Sequence, residues 1–583
     1  MNAMRNRRSW NLTITRCAAL CAVLLTLGSC QSSGPPAPQR TTSQAPHHAM
    51  VAAANPLAAQ AGLDVLRRGG SAADAAVAVQ AVLGLVEPQS SGLGGGTFIT
   101  YYDARSRSVT AYNGRETAPA GASPGMFLGL DGKPLSYATA VLSGRATGVP
   151  GAVAALGLMQ HEHGALHWSE LFGRAAQLAE EGFIVSPRLA RWIASEAPQT
   201  SAPDVVHYFS RPDGTRMVAG DLLRNPAYAA TVRELADAGP QALYHGRIAA
   251  DIVRRTHEEP LAGTLSLDDF ARYRALATPA LCHAWQATTV CTPPLPSGGV
   301  SVLEGLLLLD HTDIASRGPG DPLAWVQLGE AERLLYADRN RYIGDPDVVD
   351  VPLAGLLDAR YIASRARLIG DRAASAPPSA GVPPGAPARG VDHTLEPGGT
   401  SHLVIVDAAG NVVCMTTTVE SIFGSGRMVD GFFLNNQLTD FSFTPTEPDG
   451  QPAANAVAPF KRPRSAMAPT IVLDGEGRFL EAAGSAGGPA IISYVLKTLI
   501  ATHDWGMTMS AAIALPNLVA RGASFSAEVA KFDPALVGEL NARGLDVHLG
   551  QYEESGLQGI ARLPDGSLSG GADPRREGVV FGF

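Results

Sequence analysis

The sequence predicts an α+β protein in which a helix-rich first part is followed by a β-rich last part. Three features carry that prediction. Residues 51–68 and 71–86 are Ala-rich stretches with helical spacing, broken only at Gly69-Gly70. Residues 374–399, ASAPPSAGVPPGAPARGVDHTLEPGG, hold hardly any large apolar side chains, which is the composition of an exposed linker. Directly after Gly399-Thr400 the pattern turns to alternating strands.

Composition narrows the function classes. The chain has 583 residues, 45% of them hydrophobic and 17% charged, with a formal net charge of −9. At roughly 100–200 residues per domain this is two to four domains' worth, or one large enzyme core with long insertions. An acidic balance argues against nucleic-acid binding, which usually shows a basic face. The apolar content excludes a disordered chain, and the 63 Gly and 42 Pro fit a loop-rich globular protein.

The N-terminus has the form of an export signal. Arg5, Arg7 and Arg8 precede the apolar run 17–28, too short to span a bilayer. The run ends Leu27-Gly28-Ser29-Cys30, which resembles a bacterial lipoprotein signal, with Cys30 as the lipidation site; an ordinary cleaved signal with an incidental cysteine is the alternative. Residues 1–29 are thus expected to be a signal peptide and 30–47 a disordered tether. The mature protein is expected in the periplasm, lipid-anchored to the outer membrane, with Gln31 standing where an Asp would favour inner-membrane retention. Export permits a disulfide between Cys282 and Cys291, nine apart in a plausible hairpin, and leaves Cys414 as a lone buried thiol in a strand.

Along the chain, 51–68 and 71–86 are predicted helices, the second capped by Ser71 with Asp74 three residues on. The glycine cluster SGLGGGTF (91–98) precedes a hairpin of 98–102 with 108–113. Residues 145–345 alternate helical stretches with Gly/Pro breaks, with PPLPSGG at 293–299 as a landmark. Beyond the linker, 402–407 and 412–418 form a strand–turn–strand, 431–436 is a strand candidate, 470–474 and 479–484 form a second hairpin, and 490–502 reads as a helix.

The junction carries the chemistry. Gly-Gly-Thr-Ser-His (398–402) puts a hydroxyl residue where the linker meets a core strand. If the Gly399–Thr400 bond is cut, Thr400 holds a hydroxyl and a free α-amine, whose ordinary pKa is about 7.7–8.0. The amine accepts the hydroxyl proton, giving nucleophile and base on one residue. Taken alone, a Thr after Gly-Gly is most often just a strand start.

The surrounding motifs raise that possibility. GGTSHLVIVDAAGNVVCMTTT, LNNQLTDFS (434–442), KRPRSAMAPT (461–470) and GSAGG (484–488) resemble the small subunit of γ-glutamyltranspeptidases. Upstream, GLDVLRRGGSAADAAVAVQ (62–80), PQSSGLGGGTF (88–98), YNGRETAP (112–119), GVPG (148–151) and PPLPSGG match the same family in the same order. The resemblance implies an N-terminal nucleophile hydrolase fold, an αββα sandwich of two stacked sheets. It also implies a precursor that cuts itself at Gly399–Thr400 into a large subunit (48–399) and a small catalytic subunit (400–583), together a heterodimer. By the same resemblance Thr400 is the nucleophile, Thr418 the threonine that positions it, and Gly487 and Gly488 supply the N–H groups of an oxyanion hole. Arg115 matches the arginine for the substrate α-carboxylate, with Ser465 as a second donor. Asp440 and Glu420 match the ammonium partners, with Gln437 in the same cluster. No metal or organic cofactor is implied.

Three positions depart from the family pattern. Ala466 replaces the second member of a frequent Ser-Ser pair, Glu420 stands where many relatives carry Asn, and the lid segment 442–458 is short and lacks Tyr. Other candidates are weaker: His161-Glu162-His163 with His167 has metal-ligand spacing without a clear second shell, the glycines at 92–96 lack a phosphate-loop ending, and there is no G-x-S-x-G elbow. The expectation is an exported, self-processing γ-glutamyltransferase/hydrolase acting on glutathione and related compounds, passing the γ-glutamyl group to water, amino acids or peptides. The alternatives are a same-fold acylase for a glutaryl-type amide or poly-γ-glutamate, and a non-catalytic envelope lipoprotein.

Overall fold

The computed structural model describes residues 47–550 and 554–583. The signal peptide, Cys30 and all but the last residue of the tether lie outside them. Thirteen strands build two antiparallel sheets: β1 (Met50–Ala53), β2 (Gly96–Asp103), β3 (Ser108–Gly114), β4 (Leu276–Pro279), β5 (Leu281–Trp285), β6 (Thr288–Thr292), β7 (Thr400–Val406), β8 (Val412–Thr418), β9 (Thr470–Leu473), β10 (Phe479–Gly484), β11 (Gln558–Arg562), β12 (Leu568–Ala572) and β13 (Val579–Gly582). One sheet runs β13-β1-β7-β8-β2-β3-β4 and the other β12-β11-β10-β9-β6-β5. The chain on both sides of Thr400 therefore shares each sheet.

Strand alternation makes the layers. In β1, β7 and β8 the residues Ala52, Val404, Val406, Val412 and Cys414 point into a core shared with Ile471, Phe479 and Ile560 of the second sheet. Their neighbours Val51, Leu403, Ile405, Val413 and Met415 point the other way, against helices α1 (Pro56–Arg67) and α2 (Ala72–Val86). A third helix, α3 (Ala152–His163), joins that layer through Val153 and Leu156. On the outer face of the second sheet, Val290 and Val472 meet α4 (Gly299–Leu309), α5 (Pro322–Tyr342) and α6 (Ile491–His503). The result is helix, sheet, sheet, helix.

Local sequence explains the elements. The Ser71–Asp74 capping box starts α2, which is buried along its whole length. Its small side chains let α1 approach closely: a Cβ on Gly62 would lie 2.6 Å from Val79 Cγ2. The expected start of the first helix at residue 51 is corrected. Residues 50–53 form β1, pinned between β13 and β7, and α1 begins only after Asn55 caps it and Pro56 takes its first turn. Ala-rich composition had hidden a strand buried on both faces. The 431–436 strand shrinks to Phe432–Phe433, paired with Met428–Val429. Three hairpins form as expected, 400–406 with 412–418, 96–103 with 108–114, and 470–473 with 479–484. Cys282 and Cys291 face each other across β5 and β6 and are disulfide-bonded, while Cys414 is a buried free thiol.

The linker is less exposed than its composition suggests. Residues 374–389 are mostly on the surface, yet Gly381 N–H donates to Asp338 at 2.7 Å and Gly381 C=O accepts from Tyr342 at 2.7 Å. Residues 390–399 are tied down, with Asp392 and Glu396 buried. Two carboxylates in a Pro/Gly-rich segment find buried arginine partners, which composition alone does not reveal.

The glycine cluster before β2 has a steric cause. A Cβ on Gly95 would come 2.0 Å from the carbonyl oxygen of Thr418, and the Gly95 carbonyl itself accepts from Gly151 and Ala152 N–H at the start of α3. Gly95→Ala is expected to push the end of β8 outward and to slow by about a hundredfold the cleavage that the family resemblance implies at Gly399–Thr400, the effect of a shift of about an ångström at a reacting centre. A timed denaturing gel of freshly synthesised protein measures it; a variant that matches wild type would remove the constraint.

Candidate active site

Thr400 opens β7 and Thr418 closes β8, and the register pairs them directly. Thr400 Oγ1 donates to Thr418 Oγ1 at 3.3 Å, and Thr418 Oγ1 donates to the Gly399 carbonyl at 2.7 Å. The Glu420 backbone N–H donates to Thr418 Oγ1 at 2.8 Å and fixes it from behind. The Thr400 hydroxyl, the Thr418 hydroxyl and the Gly399 carbonyl thus stand in one hydrogen-bonded array. Glycine is required at 399, because a Cβ there would sit 2.6 Å from the Glu420 carbonyl oxygen and 2.6 Å from Ser421 C.

A small cavity adjoins this array. Its walls include Arg115, Thr418, Glu420, Gln437, Asp440, Ser465 and Gly488, so the structure brings together most of the predicted site. Gly487 and Gly488 both have positive φ, 133° and 56°, and lead through a short 3-10 turn into α6. Their N–H groups thus lie at the approach to a helix N-terminus, where negative charge is stabilised. A Cβ on Gly488 would meet the Pro397 carbonyl oxygen at 2.8 Å, so linker residues lie over this glycine pair.

The polar groups are already engaged with one another. Arg115 Nη2 donates to Asp440 Oδ2 at 2.5 Å and to the Arg464 carbonyl at 2.7 Å, and Arg115 Nε donates to the Pro463 carbonyl at 3.1 Å. Gln437 Nε2 donates to the same Asp440 oxygen at 2.6 Å. Burial pushes the Asp440 carboxyl up, and the Arg115 guanidinium only partly offsets it. Glu420, with φ +81°, is bonded to Asn436 and to Tyr137. Burial first, and then the charge of Asp440, hold the Glu420 carboxyl well above the ordinary range. Each acid's charge thus opposes ionisation of its neighbour. Ser465 Oγ accepts from Met467 N–H at 3.1 Å. The PPLPSGG landmark braces this wall: Ser465 N–H donates to the Pro296 carbonyl and Gly298 N–H to that of Met467, each at 2.9 Å.

Four contributors were not singled out from sequence. Tyr137 and Asn436 hold Glu420, and Glu396 and Arg464 line the cavity. Arg464 and Asn436 sit inside motifs visible in the sequence, whereas Glu396 was masked by its linker surroundings. The short lid is held from below. Asn455 Nδ2 donates to the Asp440 carbonyl at 2.6 Å, and Lys461 Nζ donates to the carbonyls of Ala454 and Ala456 at 2.7 and 2.8 Å.

With this geometry in place, sequence and structure comparisons decide the family. The gamma-glutamyltranspeptidase family model matches residues 58–583. The chain belongs to the gamma-glutamyltranspeptidase family. It is 34% identical over 600 residues to a glutathione hydrolase proenzyme of Bacillus subtilis strain 168, covering 99% of each chain. It is 34% identical over 584 residues to a glutathione hydrolase proenzyme of Escherichia coli K12, covering 97% of this chain and 98% of that one. Among solved structures, cephalosporin acylase from Bacillus halodurans superposes with a TM-score of 0.79 at 25% identity, covering 95% of this chain and 99% of that one. The αββα layering is the N-terminal nucleophile hydrolase fold shared by gamma-glutamyltranspeptidases and this acylase.

Beneath Arg115 lies a second acid. Glu116 is fully buried, neither carboxyl oxygen has a hydrogen-bond partner among the described residues, and Arg115 Nη1 is 3.9 Å away. Burial raises its pKa to about 8, with Arg115 opposing too weakly to restore the ordinary value. Between about pH 4.5 and 8 the unfolded chain therefore releases this proton while the folded chain keeps it, so the group costs stability as pH rises through that window. Glu116→Gln cannot ionise. Its stability relative to wild type is expected to improve by on the order of 3 kcal/mol from pH 5 to pH 8. Chemical denaturation at the two pH values checks this, and a constant difference would mean that Glu116 is ionised in the folded protein.

Proposed function

We propose that this protein is a self-processing γ-glutamyltransferase/hydrolase with Thr400 as its N-terminal nucleophile and glutathione-type compounds as donors. The observation that carries this is the hydrogen-bonded array Thr400–Thr418–Gly399, beside a cavity lined by Arg115, Asp440 and Gly488. In self-processing, Thr400 Oγ attacks the Gly399 carbonyl carbon, to whose oxygen Thr418 donates. Collapse breaks the C–N bond, leaves an ester on Thr400 and passes a proton to the released amine. Water then opens the ester, giving a Gly399 carboxylate and a free Thr400 amine. In turnover that amine accepts the hydroxyl proton as Oγ attacks the γ-amide, with Gly487 and Gly488 donating to the oxyanion; collapse breaks the amide C–N bond, and the amine of the donor leaves with that proton. Water, or the amine of an amino acid or peptide, then attacks the γ-glutamyl ester and regenerates the Thr400 hydroxyl. The guanidinium of Arg115 suits the α-carboxylate, and Asp440 with Glu420 the α-ammonium. Full-length similarity to glutathione hydrolase proenzymes supports the substrate class. The likeness to a cephalosporin acylase and the absence of a hydroxyl at Ala466 keep a same-fold acylase as the second reading.

Wild type is expected to run as two chains, the smaller beginning at Thr400, and Thr400→Ala as one. Thr418→Val is expected to cleave about a hundredfold more slowly, the typical cost of losing one donor to a developing oxyanion. Gel analysis with N-terminal sequencing, then turnover of γ-glutamyl-p-nitroanilide, measures both steps. An uncut wild-type chain would refute the enzyme reading.

The leader supports export, and we infer a lipid anchor at Cys30. Wild type is expected in the detergent phase of a detergent partition of whole cells and Cys30→Ser in the aqueous phase; equal partitioning would exclude the anchor.

A further inference from the structure

The linker does more than cover the site. Glu396 stands three residues before the Gly399 end of the scissile bond, and its buried carboxylate lies in the cavity wall beside Arg464. Arg464 Nη2 and Nε donate to Glu396 Oε1 at 2.7 and 3.2 Å, and Arg464 Nη2 also pairs with Asp392 at 3.0 Å. Arg339 Nη1 donates to both Glu396 oxygens at 3.0 and 3.1 Å, and Arg521 is 4.0 Å away. Both Arg339 and Arg464 are 1% exposed. Three further guanidinium nitrogens, Arg339 Nε and Nη2 and Arg464 Nη1, are buried without a hydrogen-bond partner among the described residues.

No acyl substrate fits while this segment is in place. The free cavity is about 30 Å³, room for a water or two, and Pro397 lies against Gly488. An acyl donor over Gly488 displaces residues 396–398, and their displacement takes the Glu396 carboxylate from the arginines. Arg464 then keeps only Asp392 among the described residues, and Arg339 loses its carboxylate partner; buried guanidinium groups short of counter-charge are strongly unfavourable. A planar carboxylate satisfies them best, through paired N–H donors.

We propose that Arg464, backed by Arg339, is a second carboxylate-binding subsite of the processed enzyme, held in the precursor by Glu396 as a built-in substitute. It rests on the γ-glutamyl reading above and narrows its substrate class. The preferred donors carry a further carboxylate beyond the one facing Arg115, as a γ-linked glutamyl-glutamate does. Arg115 and Arg464 are joined by the bond from Arg115 Nη2 to the Arg464 carbonyl, so the two carboxylate sites share one wall.

The test compares γ-glutamylglutamate with γ-glutamyl-p-nitroanilide on processed wild type and Arg464→Gln. The ratio of their KM values, carboxylate donor over anilide, is expected to rise about tenfold or more in the variant, the effect of losing hydrogen bonds to a charged group. An unchanged ratio, whether through equal loss on both donors or no loss, would overturn the subsite. If R464Q fails to process, wild type alone decides: γ-glutamylglutamate should bind about tenfold or more tighter than its neutral diamide in calorimetric titration, and equal affinity refutes the proposal. Wild type that processes but turns over neither donor would refute the γ-glutamyl reading instead, while the titration still judges the carboxylate site.

Discussion

Thr418 makes three hydrogen bonds with one hydroxyl group, and the site is organised around it. It accepts from Thr400 and from the Glu420 N–H and donates to the Gly399 carbonyl. That arrangement depends on the direct pairing of Thr400 with Thr418 at the ends of two central strands. A slip of one residue would turn the side chains of either strand to the opposite face. The register is secured on both sides, because β7 and β8 each bury one face between the sheets and the other against α1 and α2. The end of the pair is secured by absence of bulk, at Gly95 against the Thr418 carbonyl and at Gly399 against the turn at 420–421. Glycines that serve chemistry here do so by letting backbone approach backbone.

The same pocket holds an unusual density of buried charge. Arg115 with Asp440, and Arg464 and Arg339 with Glu396, are ion pairs withdrawn from water. Burial opposes ionisation of Glu396, but Arg339, Arg464 and Arg521 together hold its carboxyl well below the usual range. Buried pairs of this kind add little net stability, since desolvation offsets much of their attraction. Their effect is positional. The linker carboxylates fix residues 392–396, and the scissile bond follows within a few residues, so the chain reaches Thr400 from an anchored point.

Much of this was legible in the sequence. The capping box of α2, three hairpins and the Cys282–Cys291 pair follow motifs or periodicities that act locally, whereas the joint placement of Arg115, Asp440, Gln437 and Gly488 was legible only through the family resemblance. What stayed hidden depends on partners distant in the chain. Residues 50–53 look helical because Ala favours helices, and become a strand because β7 and β13 supply hydrogen bonds from 350 and 530 residues away, to the nearest ten. Glu396 looks solvated because its neighbours are Pro and Gly, and is buried because α5 brings Arg339 to it. Composition reports what a segment would do alone; these segments are not alone.

Ala466 shows how recognition shifts when one group is removed. It lines the cavity where a second hydroxyl would stand, and the remaining Ser465 oxygen already accepts from Met467 N–H. The backbone packs closely here, since a Cβ on Gly298 would lie 2.4 Å from the Ala466 carbonyl oxygen. The cationic donors that line this pocket are the guanidinium groups of Arg115 and Arg464. Charge-assisted pairs are roughly twice as strong as neutral hydrogen bonds and demand a planar partner. With the subsite proposed above, a pocket that binds through guanidinium groups selects by the number and spacing of carboxylates a substrate carries.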